Sequence, residues 1–471
     1  MAPIALSTSI PSLKSCQLNV KDRHESPANY IDTFRQTGVE WGCPMIPQGF
    51  GERVYDLAAR LFSICRSLTG DGVRETFARL NEVCPDLMVH EIPSADKVFD
   101  WTIPKEWNIR DGYIMNSQGE KVLDFKKNNL HIVGYSAPVD KWVKLNELLP
   151  FIFSLPNQPE LIPYVTSYYR EQFGFCMSAN QKNALPEDNY HIYIDSELRD
   201  GSLTYGDILI KGESEKEILF STYICHPSLA NDNLSGPCLA IHLAKWMSTL
   251  QKRKFSYRFV FIPETIGSIA YINENLATLK RNVVAGFVIT CVGDNNAYSY
   301  LSSRSGSTLA DRVAKNVLKF HTSNYISYSY LERGSDEAQY CSAGVDLPVC
   351  SIMRTKYGKY EEYHTSGDDL NLISKEGLDG AFMVYAKVIT VLEHNEKYKM
   401  TCTCDPQLGK RGLYPTTSIK GSVSSILPMM NFIAYANGNN DLIDISNIIG
   451  VNAMDLLPII SKLETAELLE H

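Results

Sequence analysis

The densest group of metal-binding and acid–base side chains lies in Cys-His-Pro-Ser-Leu-Ala-Asn-Asp-Asn-Leu-Ser-Gly, residues 225–236. His226 closes an apolar run, and Asp232 stands in the following loop, just ahead of a helical segment that starts near Ser235. An imidazole and a carboxylate on one short loop suit a borderline cation such as zinc. A plainer reading makes Asn231, Asp232 and Asn233 an Asx-type turn that caps the helix. The histidine at a strand end, six residues before the aspartate, weighs toward a site. Glu264 directly follows Phe-Val-Phe-Ile-Pro, where an acid cannot join a strand core without a partner. There it is either a surface carboxylate or a general base for water on a metal. Farther on, Gly-Ser-Asp-Glu-Ala-Gln-Tyr supplies Asp336 and Glu337, and Glu-Tyr-His-Thr-Ser-Gly-Asp-Asp supplies His364. His364 either bonds Asp368 or Asp369 as an ordinary loop histidine, or closes a His226–Asp232–His364 metal set with a loop carboxylate orienting its second nitrogen. Arg354 is a candidate partner for a substrate carboxylate and equally a structural arginine.

These residues must be held by regular elements. From residue 217 the pattern becomes strand, loop, helix, repeated. Strands are expected at 218–225, 257–262, 285–292 and 347–353, and helices at 235–250, 309–320 and 378–393. Such alternation implies a doubly wound α/β sheet, whose chemistry gathers at the carboxyl ends of strands. Upstream, an amphipathic helix begins at Gly51 and is ended by Thr69-Gly70, and a second covers about 73–83. Between Met88 and Ile210, short β-prone pieces (97–101, 130–135, 191–195) alternate with Pro and Gly turns and read as a mostly β insertion. Residues 1–45, polar and rich in Ser, Pro and Asn, read as a poorly ordered lead-in.

Beyond Cys404, Leu442 to Glu470 reads helix, Gly turn, helix, which is helix-turn-helix spacing. Residues 405–471 carry only Lys410, Arg411, Lys420 and Lys462 against Asp405, Asp441, Asp444, Asp455, Glu464, Glu467 and Glu470. A DNA reader needs cations against phosphate, so this unit is expected to dock or to dimerise. The whole chain, 471 residues with a formal net charge of −9, likewise argues against nucleic acid as the main partner. With 44% hydrophobic and 21% charged residues it has globular composition, and its length calls for two or three domains. No apolar run is long enough to span a bilayer, and no secretory leader is visible. Twelve cysteines without a Cys-x-x-Cys pair fit a reducing, cytoplasmic setting.

Taken in order, the site pieces resemble the co-catalytic zinc aminopeptidases typified by bacterial leucyl aminopeptidases. That family runs His at a strand end, Ala-Asn-Asp-Asn-x-Ser-Gly, a strand ending in Glu-Glu, a strand ending in Asp, then His-Thr-x-x-Asp. Ala230–Gly236 and His364-Thr365 are the most specific matches. More closely, the chain resembles an aminopeptidase-like family, found mainly in bacteria, with a β insertion and a C-terminal winged helix. Its members often accompany surface-polysaccharide or natural-product genes. The stretches Arg66–Thr76, Phe99–Asp111, Ile162–Tyr169 and Asp195–Gly206 carry this likeness, which covers nearly everything after residue 45.

The resemblance implies a mixed sheet of zinc-aminopeptidase type formed by residues 46–90 and 205–404. A mostly β subdomain is inserted at 91–204, and a winged helix-turn-helix unit follows at 405–471. It implies Zn2+ held by His226, Asp232 and His364, with Glu264 as base and Asp336 or Glu337 orienting neighbours or substrate. Two family ligands are replaced: the second Glu of the pair is Thr265, and the strand-end Asp is Thr290 or Cys291. Ser228 replaces the Asp usually found two residues after the first His. One zinc rather than two is therefore expected. The expected activity is hydrolysis of an amide or peptide-like bond in a small substrate. The alternatives are acyl transfer or cyclisation on the same zinc, as in glutaminyl cyclases, and a non-catalytic ligand sensor joined to a helix-turn-helix. Homo-oligomer formation, where it occurs, is expected through the C-terminal unit.

Overall fold

The computed structural model describes residues 46–414 and 426–470, and the lead-in expected at 1–45 lies outside them. Helices α1 (Phe50–Phe62) and α2 (Asp71–Val83) come first, burying Val54, Leu57 and Leu61 from one and Val73, Phe77 and Leu80 from the other. Eight strands then form one mixed sheet: β1 (Met88–Pro93), β2 (Ser202–Ile210), β3 (Glu217–Tyr223), β4 (Ser256–Ile262), β5 (Val283–Val288), β6 (Ser299–Leu301), β7 (Ile326–Tyr328) and β8 (Val349–Met353). Their spatial order is β1-β2-β4-β3-β5-β8-β6-β7. The centre, β4-β3-β5-β8, is parallel, while β1, β2 and β6 join antiparallel.

Parallel strands are covered on both faces, which is why β3 and β4 are buried at every position. Phe220, Phe259 and Phe287 stack across β3, β4 and β5, and Phe220 and Phe287 meet Tyr385 of α6 (Lys375–Glu393) edge-on. The alternate residues Leu219, Tyr223, Val260 and Val288 share the opposite core with Ile266, Ile269 and Ile272 of α4 (Ile266–Asn282). Helices α3 (Ser235–Thr249) and α5 (Leu309–His321) complete the wrapping. Among the described residues no single helix is long and apolar enough to cross a membrane.

The structure corrects four local expectations. Helix α1 stops at Phe62, because Arg66 turns inward to the Leu61 and His226 carbonyls instead of extending the helix to Gly70. The strand expected over 285–292 ends at Val288, and Cys291 takes a positive φ of 50°. Residues 130–135 are a short 3₁₀ turn and isolated bridges, with Tyr135 at φ 65°. Strands β6 and β7, three residues each, were too short to show as periodic runs.

The insertion leaves from β1 and returns on β2, which pair antiparallel with Pro93 opposite Ser202. The expected limits 91 and 204 thus fall within two strands of the main sheet. Between them an antiparallel sheet runs in the order 121–124, 106–115, 189–199, 139–144. One face (Ile114, Ile192, Ile194, Val143) packs with Phe175 into its own core. Glu106 anchors this sheet to α2, accepting from Arg74 Nη2 at 2.5 Å and Arg199 Nη2 at 3.1 Å.

At the C-terminal end Lys397–Met400 pairs with Asn437–Asp441 and Leu469–Glu470, a small sheet that begins ahead of residue 405. Helices α7 (Leu427–Tyr435), α8 (Leu442–Ile449) and α9 (Ala453–Thr465) pack beside it, and Gly450 at φ 68° turns α8 into α9. Arg312 of α5 holds the unit to the core through Asp441 and Asp444, at 2.6 and 2.7 Å.

Candidate metal centre

Three neighbouring parallel strands, β4, β3 and β5, deliver three loops to one end of the sheet. His226 sits just past β3, Glu264 just past β4, and Thr290 just past β5. His364 arrives on the loop after β8, with φ 55°. This is the carboxyl end of the sheet beside its central strand, where open α/β folds collect ligands. Arg66, almost fully buried, donates to the His226 carbonyl at 2.7 Å and so holds that loop by its backbone.

The ligating atoms of His226, Asp232 and His364 lie within 4.8 Å of one another. His364 Nε2 stands 3.1 Å from Asp232 Oδ2 yet is buried without a hydrogen bond of acceptable geometry. Two donors each about 2.0 Å from a tetrahedral zinc would lie roughly 3.3 Å apart, so this spacing and this orphaned lone pair fit a shared cation. The protonation states fit as well. Burial holds the His226 imidazole down at about 4, neutral at pH 7. Burial works to raise the Asp232 carboxyl, but the two imidazoles and Tyr223 outweigh it and leave the group ionised.

Each remaining residue expected at the site has a definite place. Glu264 Oε2 is 3.8 Å from His226 Nε2, while Oε1 accepts from Ser335 Oγ at 2.9 Å. Burial, and then the charges of Asp336 and Asp232, raise the Glu264 carboxyl well above the ordinary range. Asp336 is fully buried behind it. Its Oδ1 accepts from the Thr265 amide and from Ser268 Oγ, both at 2.8 Å, and its Oδ2 has no hydrogen-bond partner. Burial pushes the Asp336 carboxyl up to about 7. Glu337 faces the other way, accepting from the Gly334 and Ser335 amides and from Tyr357 Oη. It shapes the loop that carries Ser335. Arg354 lies with its guanidinium 3.9 Å above the Tyr298 ring, and its amide donates to the Cys291 carbonyl at 2.8 Å. 

The carboxylate expected to orient His364 does something else. Asp368 Oδ1 accepts from the amides of Ala230 and Asn231, at 3.1 and 2.6 Å, and Oδ2 accepts from the Asp232 amide at 2.9 Å and Tyr360 Oη at 3.0 Å. It ties the His364 loop to the Asp232 loop. His364 is instead oriented by rings: Tyr363 stacks on it with centroids 3.9 Å apart, and Tyr164 meets it edge-on at 5.1 Å. Tyr164 also covers His226 at 5.2 Å, and its amide donates to the His364 carbonyl at 2.8 Å. Tyr223 Oη donates to Asp232 Oδ1 and accepts from Thr290 Oγ1 at 2.7 Å. Thr290, which with Cys291 reads as a replacement for a zinc-aminopeptidase ligand, is thereby engaged within the protein. Asp368 was legible as the final residue of His-Thr-x-x-Asp, whereas Tyr164, 62 residues before His226 and within an aromatic stretch, carries no local signal.

Known proteins share this fold. Residues 55–395 match a domain of unknown function, DUF4910, and residues 396–471 a winged helix-turn-helix. A Clostridium acetobutylicum protein named for polysaccharide biosynthesis with an aminopeptidase-like domain is 46% identical over 402 residues, 84% of this chain and 91% of that one. A crystal structure from the same organism, provisionally described as a peptidase, superposes with a TM-score of 0.85 at 42% identity, covering 94% of this chain and 98% of that chain. The zinc aminopeptidase BSAP from Bacillus subtilis shares the fold alone, with a TM-score of 0.53 at 14% identity over 74% of this chain and 95% of its own. The M28 peptidase precursor of Shewanella amazonensis does so at 0.50 and 13%, over 81% and 99%. The chain belongs to the DUF4910 family, an aminopeptidase-like fold completed here by a C-terminal winged helix-turn-helix.

Proposed function

We propose that this protein is a mononuclear zinc hydrolase that cleaves an amide bond in a small sugar-linked substrate during polysaccharide assembly in the cytoplasm. The observation that carries the reading is the His226–Asp232–His364 cluster with Glu264 3.8 Å from one of its nitrogens. Zinc bound there would polarise a carbonyl and acidify water. The replacement of two carboxylate ligands, one by Thr265 and one by Thr290 or Cys291, supports a single ion, and Thr290 Oγ1 is already spent on Tyr223. The sugar-linked substrate rests on the name of the Clostridium relative.

Within the centre each side chain has a separable task. Glu264 takes the proton of the attacking water at Oε2, since Oε1 is held by Ser335. Burial and the neighbouring acids raise its affinity for a proton, which favours holding the proton taken from water until it is returned to the leaving amine. Asp336, bonded to the Thr265 amide and Ser268, fixes the start of α4 behind Glu264. Tyr164 and Tyr363 hold the imidazoles in place and exclude water from their faces. The acidic C-terminal unit, ion-paired to α5 through Arg312, serves as a docking element and not as a reader of nucleic acid.

Elemental analysis of the purified protein, beside His226→Ala and His364→Ala, tests the centre. About one zinc per chain, lost in both variants, is the expected result. Wild-type protein that takes up no zinc even when it is offered would sink the reading.

A further inference from the structure

We infer that the inserted unit carries a sugar-stacking subsite at the mouth of the metal centre, built on Trp101 and Tyr169. The inference deepens the proposed hydrolase reading by assigning the part of the substrate that flanks the scissile amide. Two surface segments of the insertion reach the centre. One runs through Tyr164, whose ring lies against both histidines and whose hydroxyl is 3.0 Å from Tyr168 Oη. Tyr169 is the next residue. The other is the hairpin 97–102, whose Val98, together with Ile103, shares an apolar cluster with Ile266, Ile269 and Ala270. Those three residues open α4, the helix that begins two residues after Glu264. The segments join at the surface, where the Trp101 and Tyr169 rings meet edge to face at 6.0 Å and Tyr169 Oη donates to the Thr102 carbonyl at 3.4 Å.

Both rings stand in water although one end of each segment is packed inside: Trp101 is 40% exposed and Tyr169 56%. Phe99, at the hairpin tip, is also exposed and sits at φ 54°, a backbone region that non-glycine residues occupy only at a cost. Scattered single apolar residues need no explanation, but adjoining aromatic rings on a segment that also covers the two histidines do. A subsite for an apolar side chain would enclose its guest and bury most of it. Here the rings offer an open aromatic surface, which suits a ligand with one apolar face and a hydrated rim. A pyranose has that form, its axial C–H groups facing a ring and its hydroxyls facing water. Lys97, Lys105 and Arg170 are exposed in the same segments beside Asp96, Asp100 and Glu171. Their mixed signs favour a neutral sugar over a strongly charged group.

The test is binding of tetra-N-acetylchitotetraose to the full-length, zinc-loaded Glu264→Gln protein by titration calorimetry, so that no turnover intervenes. Trp101→Ala and Tyr169→Ala in that background should each weaken binding roughly tenfold with zinc content unchanged. Trp101→Phe, which keeps an aromatic face, should retain most of the affinity. Absent binding, or binding that both alanine variants leave intact, would overturn the subsite. So would tighter, Trp101-dependent binding of the peptide amide acetyl-Phe-NH2 than of the sugar. Trp101-dependent sugar binding in a protein that neither holds zinc nor hydrolyses amides would keep the subsite and remove the hydrolase reading.

Discussion

The aminopeptidase-like core and the inserted β unit contribute to one candidate metal centre by opposite means. In the core, β3, β4 and β5 are parallel and buried on both faces, so their side chains are spent on packing and the chemistry falls one step past their ends, at His226, Glu264 and Thr290. In the insertion, the antiparallel sheet packs a single face. Its contribution comes instead from irregular segments, where Tyr164 covers the two histidines and Trp101 and Tyr169 remain in water. The contrast teaches that the rigid sheet sets which reaction is available, while the insertion sets how firmly the ligands are held and what reaches them.

The largest effect that would break this division is in the core. Glu264→Gln should retain zinc while amide hydrolysis falls by about a hundredfold to ten-thousandfold, measured as kcat/KM once a substrate is found. Activity near the wild-type level would remove Glu264 from the mechanism. Next comes the tie between the two metal-bearing loops. Asp368→Ala leaves the amides of Asn231 and Asp232 without their side-chain acceptor, while Ala230 keeps the Asp368 backbone carbonyl at 2.8 Å. At about 1–3 kcal/mol for each unsatisfied group, a loss of roughly 2 kcal/mol or more is expected in denaturant unfolding, with Asp368→Asn losing less.

The insertion should show itself in affinity more than in stability. Tyr164→Ala should weaken zinc binding about 10–100-fold in competition with a chelator, while Tyr164→Phe keeps the ring and changes little. Equal effects of the two would mean that the hydroxyl, and not the ring packing, is what matters. The smallest effect concerns the anchor between insertion and core. Arg74 beside Glu106 holds that carboxyl down at about 2, against 4.5 ordinarily. A depressed carboxyl stabilises the fold fully above its unfolded value and loses that contribution as pH falls toward 2. Glu106→Gln should therefore lower stability at pH 7 and flatten the stability curve between about pH 5 and 2 relative to wild type.

Much of this could be read along the chain. The parallel core was legible because strands buried on both faces are continuous apolar runs, and the helix-turn-helix because Gly450 interrupts two amphipathic segments. The cluster of His226, Asp232 and His364 was legible because residue types that bind metal are rare at strand ends and here recur in a known order. The end of α1 at Phe62 was not, because Arg66 is drawn out of a helical pattern by a carbonyl 160 residues away, that of His226.

Local pattern was thus enough to settle the fold class, and residue types recurring in a known order were enough to nominate His226, Asp232 and His364. The separate tasks of adjacent acids were settled by folding alone. Asp336 faces Thr265 and Ser268 at the root of α4, while Glu337 turns to Gly334 and Tyr357, a distinction that no spacing of one residue can encode. The same holds for Tyr164, which meets His226 and His364 only because the insertion folds back across the sheet end. Aromatic packing of this kind joins residues 62 and 200 positions apart, and its energy exists only once both surfaces have been brought together.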